Sequence, residues 1–326
     1  MLEFNLKANH YFLETALDLF LDAGDELYKI EAVKLPLRLQ VHSKDELADT
    51  RIYVWELTPR SKNQYEIQMT GIDYFEPRSG KTLILGWWKK TNIFVGFDAR
   101  KHLGKSRSSP YIQIQGNALQ QAHINGFEAC YKGKNEVAIV FHSDFFNEYL
   151  NNLEPLHDFG QSLKDLSLLR EIIRNPEISE TGIHIRNFAR KMTAISLYKK
   201  LREVSFKNRV LTSYGFRCAF CNSFDRVEAV HIIPFNHEMS SDETRNGLAL
   251  CALHHKAYDQ ALVTVDTDYS IQINRFQVGE LQTHKLREGF ADFSQRLRRW
   301  IIVPPTSFDR PPVEYIRIAN NIRGWK

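Results

Sequence analysis

The chain has 326 residues, 43% of them hydrophobic and 25% charged, with a net charge of +4. That length allows about two domains; the composition is that of an ordinary folded protein, and no run approaches the roughly 18 consecutive apolar residues of a membrane span. The opening MLEFNLKANHYFLETALDLF carries three acids where a secretory leader is basic and then apolar, so the expected location is cytoplasmic, with no membrane partner.

In chain order, residues 1–30 read as one or two helices from the apolar spacing in YFLETALDLFLDAGDELYKI. From about 36 to 145 the pattern turns to short β-type runs: LRLQVH, RIYVWELT, YEIQMTGI, TLILGWW, NIFVGFD, YIQIQG and EVAIVFH. Turn chemistry such as EPRSG and KGKN separates them, which predicts a β-rich N-terminal domain, 1–154, of mixed or antiparallel sheet. Within it, GWWKKTNIFVGFDARKHLGKSRSSPY (86–111) interleaves aromatic and basic residues. Trp87, Phe94 and Phe97 sit in strand-like runs and read either as core or as surfaces on which bases stack. Arg100, Lys101, Lys105 and Arg107, with His102 and three serines, are the better candidates for phosphate contact.

From Phe145 to Phe216 the spacing is helical, in FFNEYLNNL, QSLKDLSLLREII and IRNFARKMTAISLYKKLREVSFKNRVLTSY. Asn175–Pro176 interrupts it, and 155–204 is assigned as a helical linker. Between Arg186 and Arg217 nine Lys or Arg residues face a single acid, Glu203. Such an imbalance either forms a solvated helix face or attracts a polyanion, with Arg217 as a further DNA-contact candidate. Residues 205–326 form the last domain, ending in a helical tail, a proline-rich turn and a short helix.

The chemistry concentrates at 218–259. Three of the four cysteines fall there: Cys218 and Cys221 make a C-x2-C knuckle, and Cys251 with His254 makes C-x2-H. Two such half-sites supply the four tetrahedral ligands that structural zinc prefers, and a closed site of this kind holds the fold and leaves no position for substrate. His255 follows His254 directly, and successive helical residues are rotated by about 100°. His255 therefore faces away from the zinc, on the same helix face as Asp259 four residues on. That pair is either half of a divalent-metal site or a surface His–Asp pair. EAVHIIPF (228–235) reads as a strand delivering His231, and NGLALC (246–251) as a second strand returning to the knuckle.

The order C-x2-C, HIIP, NGLALC-x2-HH-x3-D resembles the HNH endonucleases of the zinc-stapled branch found in restriction-type enzymes. The resemblance covers roughly 205–275 and implies a C-terminal ββα-metal domain with a structural zinc; with the β-rich N-terminal domain and helical linker read from the patterns above, an α+β chain is expected. It further implies that His231 is the general base, that Asn246 holds the loop between the strands, and that His255, with Asp259, binds a catalytic Mg2+ or Mn2+. Many members carry Asp or His directly before the base histidine. Here Val230 stands there, so either the ion has fewer protein ligands or Glu228 reaches it. The N-terminal half is similar in style to modules that accompany HNH domains in restriction enzymes.

The function expected is a restriction-type DNA endonuclease that acts on double-stranded DNA, admitting a homodimer and a companion DNA methyltransferase as partners and a role in antiviral defence. A zinc-stabilised DNA-binding protein on a decayed HNH scaffold, and an anti-phage nuclease of broader specificity, are the alternatives.

Overall fold

The computed structural model describes residues 15, 27–31, 35–43, 46–69, 80–102, 111–175, 180–283 and 289–325. They fall into two compact units, Met1–Leu201 and Arg202–Lys326.

The first unit is built on a seven-stranded sheet of order β1-β2-β3-β6-β7-β10-β9. Its members are β1 (Leu27–Glu31), β2 (Leu37–Ser43), β3 (Glu46–Glu56), β6 (Lys81–Trp88), β7 (Ile93–Phe97), β9 (Phe127–Gly133) and β10 (Glu136–His142). Only β3 and β6 run parallel, Ile52 opposite Leu83; every other pairing in this sheet is antiparallel, so the sheet is mixed. A separate antiparallel sheet has the order β4-β5-β8, from Thr58–Ser61, Gln64–Gln68 and Tyr111–Gln115. The strand-like runs of the sequence coincide with these strands. The helical expectation for 1–30 lies mostly outside the described residues, and its last residues, Leu27–Ile30, are corrected: they form β1. Backbone pairing with β2 overrides the local helical spacing there.

β7 is buried along its whole length, so both of its faces must be covered. On one face Ile93, Val95 and Phe97 join Tyr53, Trp55, Ile84, Ile112 and Ile114 in an apolar cluster closed by Leu119 and Ala122 of a helix at Gly116–Asn125. Phe94 takes part in an aromatic stack, its ring 5.7 Å from Trp87 and 6.0 Å from Phe141, with Phe141 4.6 Å from Tyr149. Gly96 is required here, because a Cβ would stand 2.1 Å from the Tyr149 hydroxyl. Trp87, Phe94 and Phe97 are at most 1% exposed, which removes them as stacking surfaces for bases and leaves the core reading.

Naming helices in chain order, α1 is Ala99–His102, α2 Gly116–Asn125, α3 Phe146–Asn151, α4 Leu153–Asp158 and α5 Leu163–Arg174. α5 starts on Ser162, whose hydroxyl accepts from the Asp165 N–H, and ends just ahead of Pro176. α6 runs from Phe188 to Ser213. It ends where Gly215 (φ +59°) takes the left-handed conformation and the Phe216 N–H bonds back to Leu211.

In the second unit, β11 (Val227–His231) and β12 (Gly247–Cys251) form an antiparallel hairpin with His231 opposite Gly247 and Val227 opposite Cys251. Helix α7 (Ala252–Asp259) follows without a break, completing a ββα unit. A second hairpin, β13 (Val263–Val265) with β14 (Ile271–Ile273), comes next, then α8 (Arg275–Thr283), α9 (Phe290–Arg296) and α10 (Val313–Ile322). The core gathers Phe206, Val210 and Tyr214 of the lead-in, Val230, Leu248 and Leu250 of the hairpin, Tyr258 of α7, and Ile316 and Ala319 of α10. Asn320 ties α10 to β13, donating to the Val265 carbonyl at 3.0 Å.

Candidate active site

The hairpin carries a cluster at each end. At the open end, beside Val227 and Cys251, Cys218, Cys221, Cys251 and His254 bring one ligand atom each to within 4.8 Å of one another. The knuckle is a backbone construction: Cys218 N–H bonds to Ser223, Asn222 N–H returns to Cys218, and Ala219 N–H ties the turn to Ala249 of β12. Asn222 adopts φ +65°, a conformation Asn tolerates better than most residues. His254 is fully buried, with Nδ1 3.4 Å from Cys218 Sγ and 3.2 Å from Cys251 Sγ. The two thiols share a hydrogen bond unequally: Cys251 is pushed up to about 11, chiefly by Cys218, while Cys218 is lowered, chiefly by Cys251. Three sulfurs and an imidazole nitrogen at this separation match the tetrahedral donor set of structural zinc. Among the described residues this is the one compact His/Cys/Asp/Glu group of three or more.

The other histidine of the pair faces elsewhere, as the helical rotation requires. The His255 Nε2 lies 3.1 Å from Asp259 Oδ2 on the same face of α7, and its Nδ1 2.5 Å from Glu228 Oε2 on β11. Its ring is therefore held from both sides by carboxylates that are themselves half exposed. Val230 is 4% exposed and belongs to the apolar core, so the position ahead of His231 supplies packing and no ligand. Because side chains alternate along a strand, Glu228 shares a face with Val230 one pleat repeat earlier, and it is Glu228 that meets His255.

At the loop end, the His231 ring stacks on Phe206 with 3.9 Å between centroids and 8° between planes. Its Nε2 is 3.1 Å from Asp242 Oδ1, and Asp242 Oδ2 takes an ion pair from Arg202 at 2.6 Å. The hydrogen bond from His231, joined by Arg202, holds the Asp242 carboxyl below the usual range against the effect of burial. Arg209 donates to the Asp242 carbonyl at 2.6 Å, fixing the residue's backbone as well. Asn246 is fully buried; its Oδ1 accepts from the Ile233 N–H at 2.9 Å and its Nδ2 donates to the Ser241 carbonyl at 2.8 Å. It thus clamps both arms of the loop that runs from His231 to Asp242.

His231, His255 and Asp259 line one open cleft of about 610 Å³, together with Pro234, Phe235 and Arg323. Asp242, Arg202, Phe206 and Arg323 carry no signal in the motif, and three of them come from helices outside it. In the first unit, Arg100 is bound to Asp98 at 2.9 Å and to Asp158 at 2.8 Å, so its guanidinium is engaged within the protein. His102 is buried against Glu136. Lys101 is exposed and Lys105 and Arg107 lie outside the described residues. Arg217 is exposed at the head of the knuckle, donating to the Asn222 carbonyl at 3.2 Å.

Comparison with known proteins places family matches on both units. Residues 48–150 match the family described as methylase-associated X1, and residues 218–266 match the HNH endonucleases. No curated protein matches the chain. Among solved structures, a modification-dependent TagI restriction endonuclease is similar at 9% identity and a TM-score of 0.30, over 84% of this chain and 80% of that one. The ββα unit with its cysteine knuckle, spanning 218–266, is an HNH endonuclease domain.

Proposed function

We propose that the protein is a restriction-type DNA endonuclease in which the second unit hydrolyses phosphodiester bonds and the β-rich first unit selects the DNA. The observation that carries this reading is His231, fixed by Asp242 and Phe206 in the same cleft as the His255–Asp259 pair. An ionised carboxylate only accepts hydrogen bonds, so Asp242 takes the Nε2–H and leaves the lone pair on Nδ1. Nδ1 is then the atom that removes a proton from the attacking water, and a neutral imidazole suits base work near pH 7. The water oxygen bonds to phosphorus, the bond to the 3′ oxygen breaks, that oxygen takes a proton from solvent, and the products are a 5′-phosphate and a 3′-hydroxyl. Asn246 positions His231 by closing the loop behind it.

His255 Nε2 and Asp259 are close enough to share one ion, and a pair of protein ligands suits Mg2+ or Mn2+, which keep most of their waters. When bound, such an ion stabilises charge at phosphorus and on the leaving oxygen. Glu228 acts as the outer partner that holds the His255 ring through its other nitrogen. Zinc on Cys218, Cys221, Cys251 and His254 is structural. The methylase-associated match supports a companion DNA methyltransferase, and cleavage of both strands by one site per chain calls for a homodimer on double-stranded DNA in the cytoplasm. Lys101, Lys105, Arg107 and Arg217 are the proposed phosphate contacts outside the cleft. Arg100 is kept as a contact only where DNA displaces Asp158.

Cleavage of one plasmid in methylated and unmethylated form, with Mg2+ or Mn2+, tests activity and substrate together. The wild type nicks or cuts one form, while His231→Ala binds DNA and loses at least 10²-fold in rate. Undiminished cleavage by His231→Ala sinks the mechanism. Binding with no new 5′-phosphate ends from the wild type favours the decayed-scaffold reading, to which the buried Val230 lends support. Equal attack on RNA and single strands favours the broader nuclease.

A further inference from the structure

The cleft contains a cation that neither family match covers. Arg323 caps the C-terminal end of α10, well beyond the matched segment 218–266. Its Nη1 donates to the Ile232 carbonyl at 2.8 Å, the residue directly after His231. Its guanidinium carbon lies 4.2 Å above the ring of Tyr258, the residue directly before Asp259. The side chain is thereby registered to both halves of the site. Its one further contact is a long one, from Nη1 to the Ala319 carbonyl at 3.5 Å. Among the described residues no carboxylate pairs with it, and Nε and Nη2 meet no acceptor.

A guanidinium has five N–H donors in a rigid fork. Closing the end of α10 employs one nitrogen of Arg323 and leaves the rest of the fork without a partner, in a cleft that holds a base and a metal-binding pair. Stacking on a buried tyrosine fixes the plane of the fork, so little freedom remains to be lost when a ligand arrives. What such a fork takes, at that location, is a planar pair of anionic oxygens.

We propose that Arg323 is the phosphate anchor of the cleft, donating to non-bridging oxygens of the nucleic-acid backbone beside His231. The proposal rests on the nuclease reading for its location but not for its test. Labelled duplex DNA is titrated with the full chain at several salt concentrations and no added divalent ion, and single-turnover cleavage is then measured with Mg2+. For Arg323→Met, which keeps the aliphatic cover on Tyr258, the slope of log affinity against log salt falls by about one. Cleavage by this variant falls on the order of 10²-fold. Arg323→Lys keeps the charge and loses the fork: its salt slope stays at the wild-type value while cleavage falls at least about tenfold.

An unchanged slope for Arg323→Met with a wild-type melting temperature overturns the proposal. If Arg323→Met does not fold, Arg323→Lys decides: wild-type cleavage by it overturns the proposal. A wild-type protein that binds and never cuts, with the slope still lowered in Arg323→Met, leaves the anchor standing and removes the nuclease. A wild-type protein that cuts, with both variants indistinguishable from it, does the reverse.

Discussion

Asn246→Ala removes the clamp on the loop that carries Asp242. Two short hydrogen bonds are lost, to the Ile233 N–H at 2.9 Å and the Ser241 carbonyl at 2.8 Å, along with weaker contacts at 3.4 Å to Ile233 O and Ser240 Oγ. Ile233 is fully buried, so its N–H is left without water or acceptor, a penalty of about 1–3 kcal/mol. Ser241 is half-buried, where a freed carbonyl can take up a water, so its loss is set nearer about 1 kcal/mol. The sum is about 2–4 kcal/mol. For a unit of about 125 residues each kcal/mol moves the midpoint by roughly 3–5 °C, giving a fall on the order of 10 °C. Differential scanning calorimetry reads the fall directly, and a nicking assay far below the midpoint reads what remains of catalysis. Cleavage falls further than the unfolded fraction accounts for, because His231 loses its fixed partner. A midpoint shift under about 2 °C with normal nicking refutes the reasoning.

Four further outcomes follow from the same contacts. Purified protein carries one zinc per chain, and Cys218→Ser loses it together with the unfolding transition of the second unit, as metal analysis and calorimetry show. Glu228→Gln weakens Mn2+ binding about 10- to 100-fold by calorimetric titration, whereas an unchanged affinity removes Glu228 as the partner of His255. Asp242 is depressed in the folded state, so its contribution is complete above the ordinary carboxylate range and is lost as pH falls through its folded value. The stability gap between wild type and Asp242→Asn therefore shrinks as pH falls from the ordinary carboxylate range toward the lower folded value, in denaturant melts; a constant gap contradicts the ion pair. Gly247→Ala puts a Cβ 2.2 Å from Val210 Cγ2 and costs about 1–3 kcal/mol, most of it recovered in the double variant with Val210→Ala.

What the sequence disclosed was whatever chemistry is local in the chain. Cys-x2-Cys and Cys-x2-His lie on single turns, and neighbouring histidines on a helix diverge by rotation alone, so the Cys/His cluster and the separate orientation of His255 were legible without tertiary structure. The alternating strands of the first domain were legible for the same reason. Asp242 lay hidden because it reaches His231 from eleven positions further on, across a loop, and Phe206 and Arg202 because they approach from a helix ahead of the motif. Arg323 comes from 92 positions beyond His231, through the packing of α10, and leaves no periodic trace. The basic stretch after Phe97 misled in part: Arg100 stands two residues from Asp98, and burial of that acid binds the two together. β9 and α2 were missed because FEACYKG breaks its alternation and GNALQQAHIN is small and polar on most faces.

One peptide bond separates His254, which closes the thiol cluster, from His255, which faces the cleft. On the proposed reading, stripping zinc from the sulfurs, by oxidation or by a competing chelator, is expected to loosen the first turn of α7 and with it the setting of the neighbouring imidazole. The proposed cleavage is then expected to fall, and to return on reduction and remetallation.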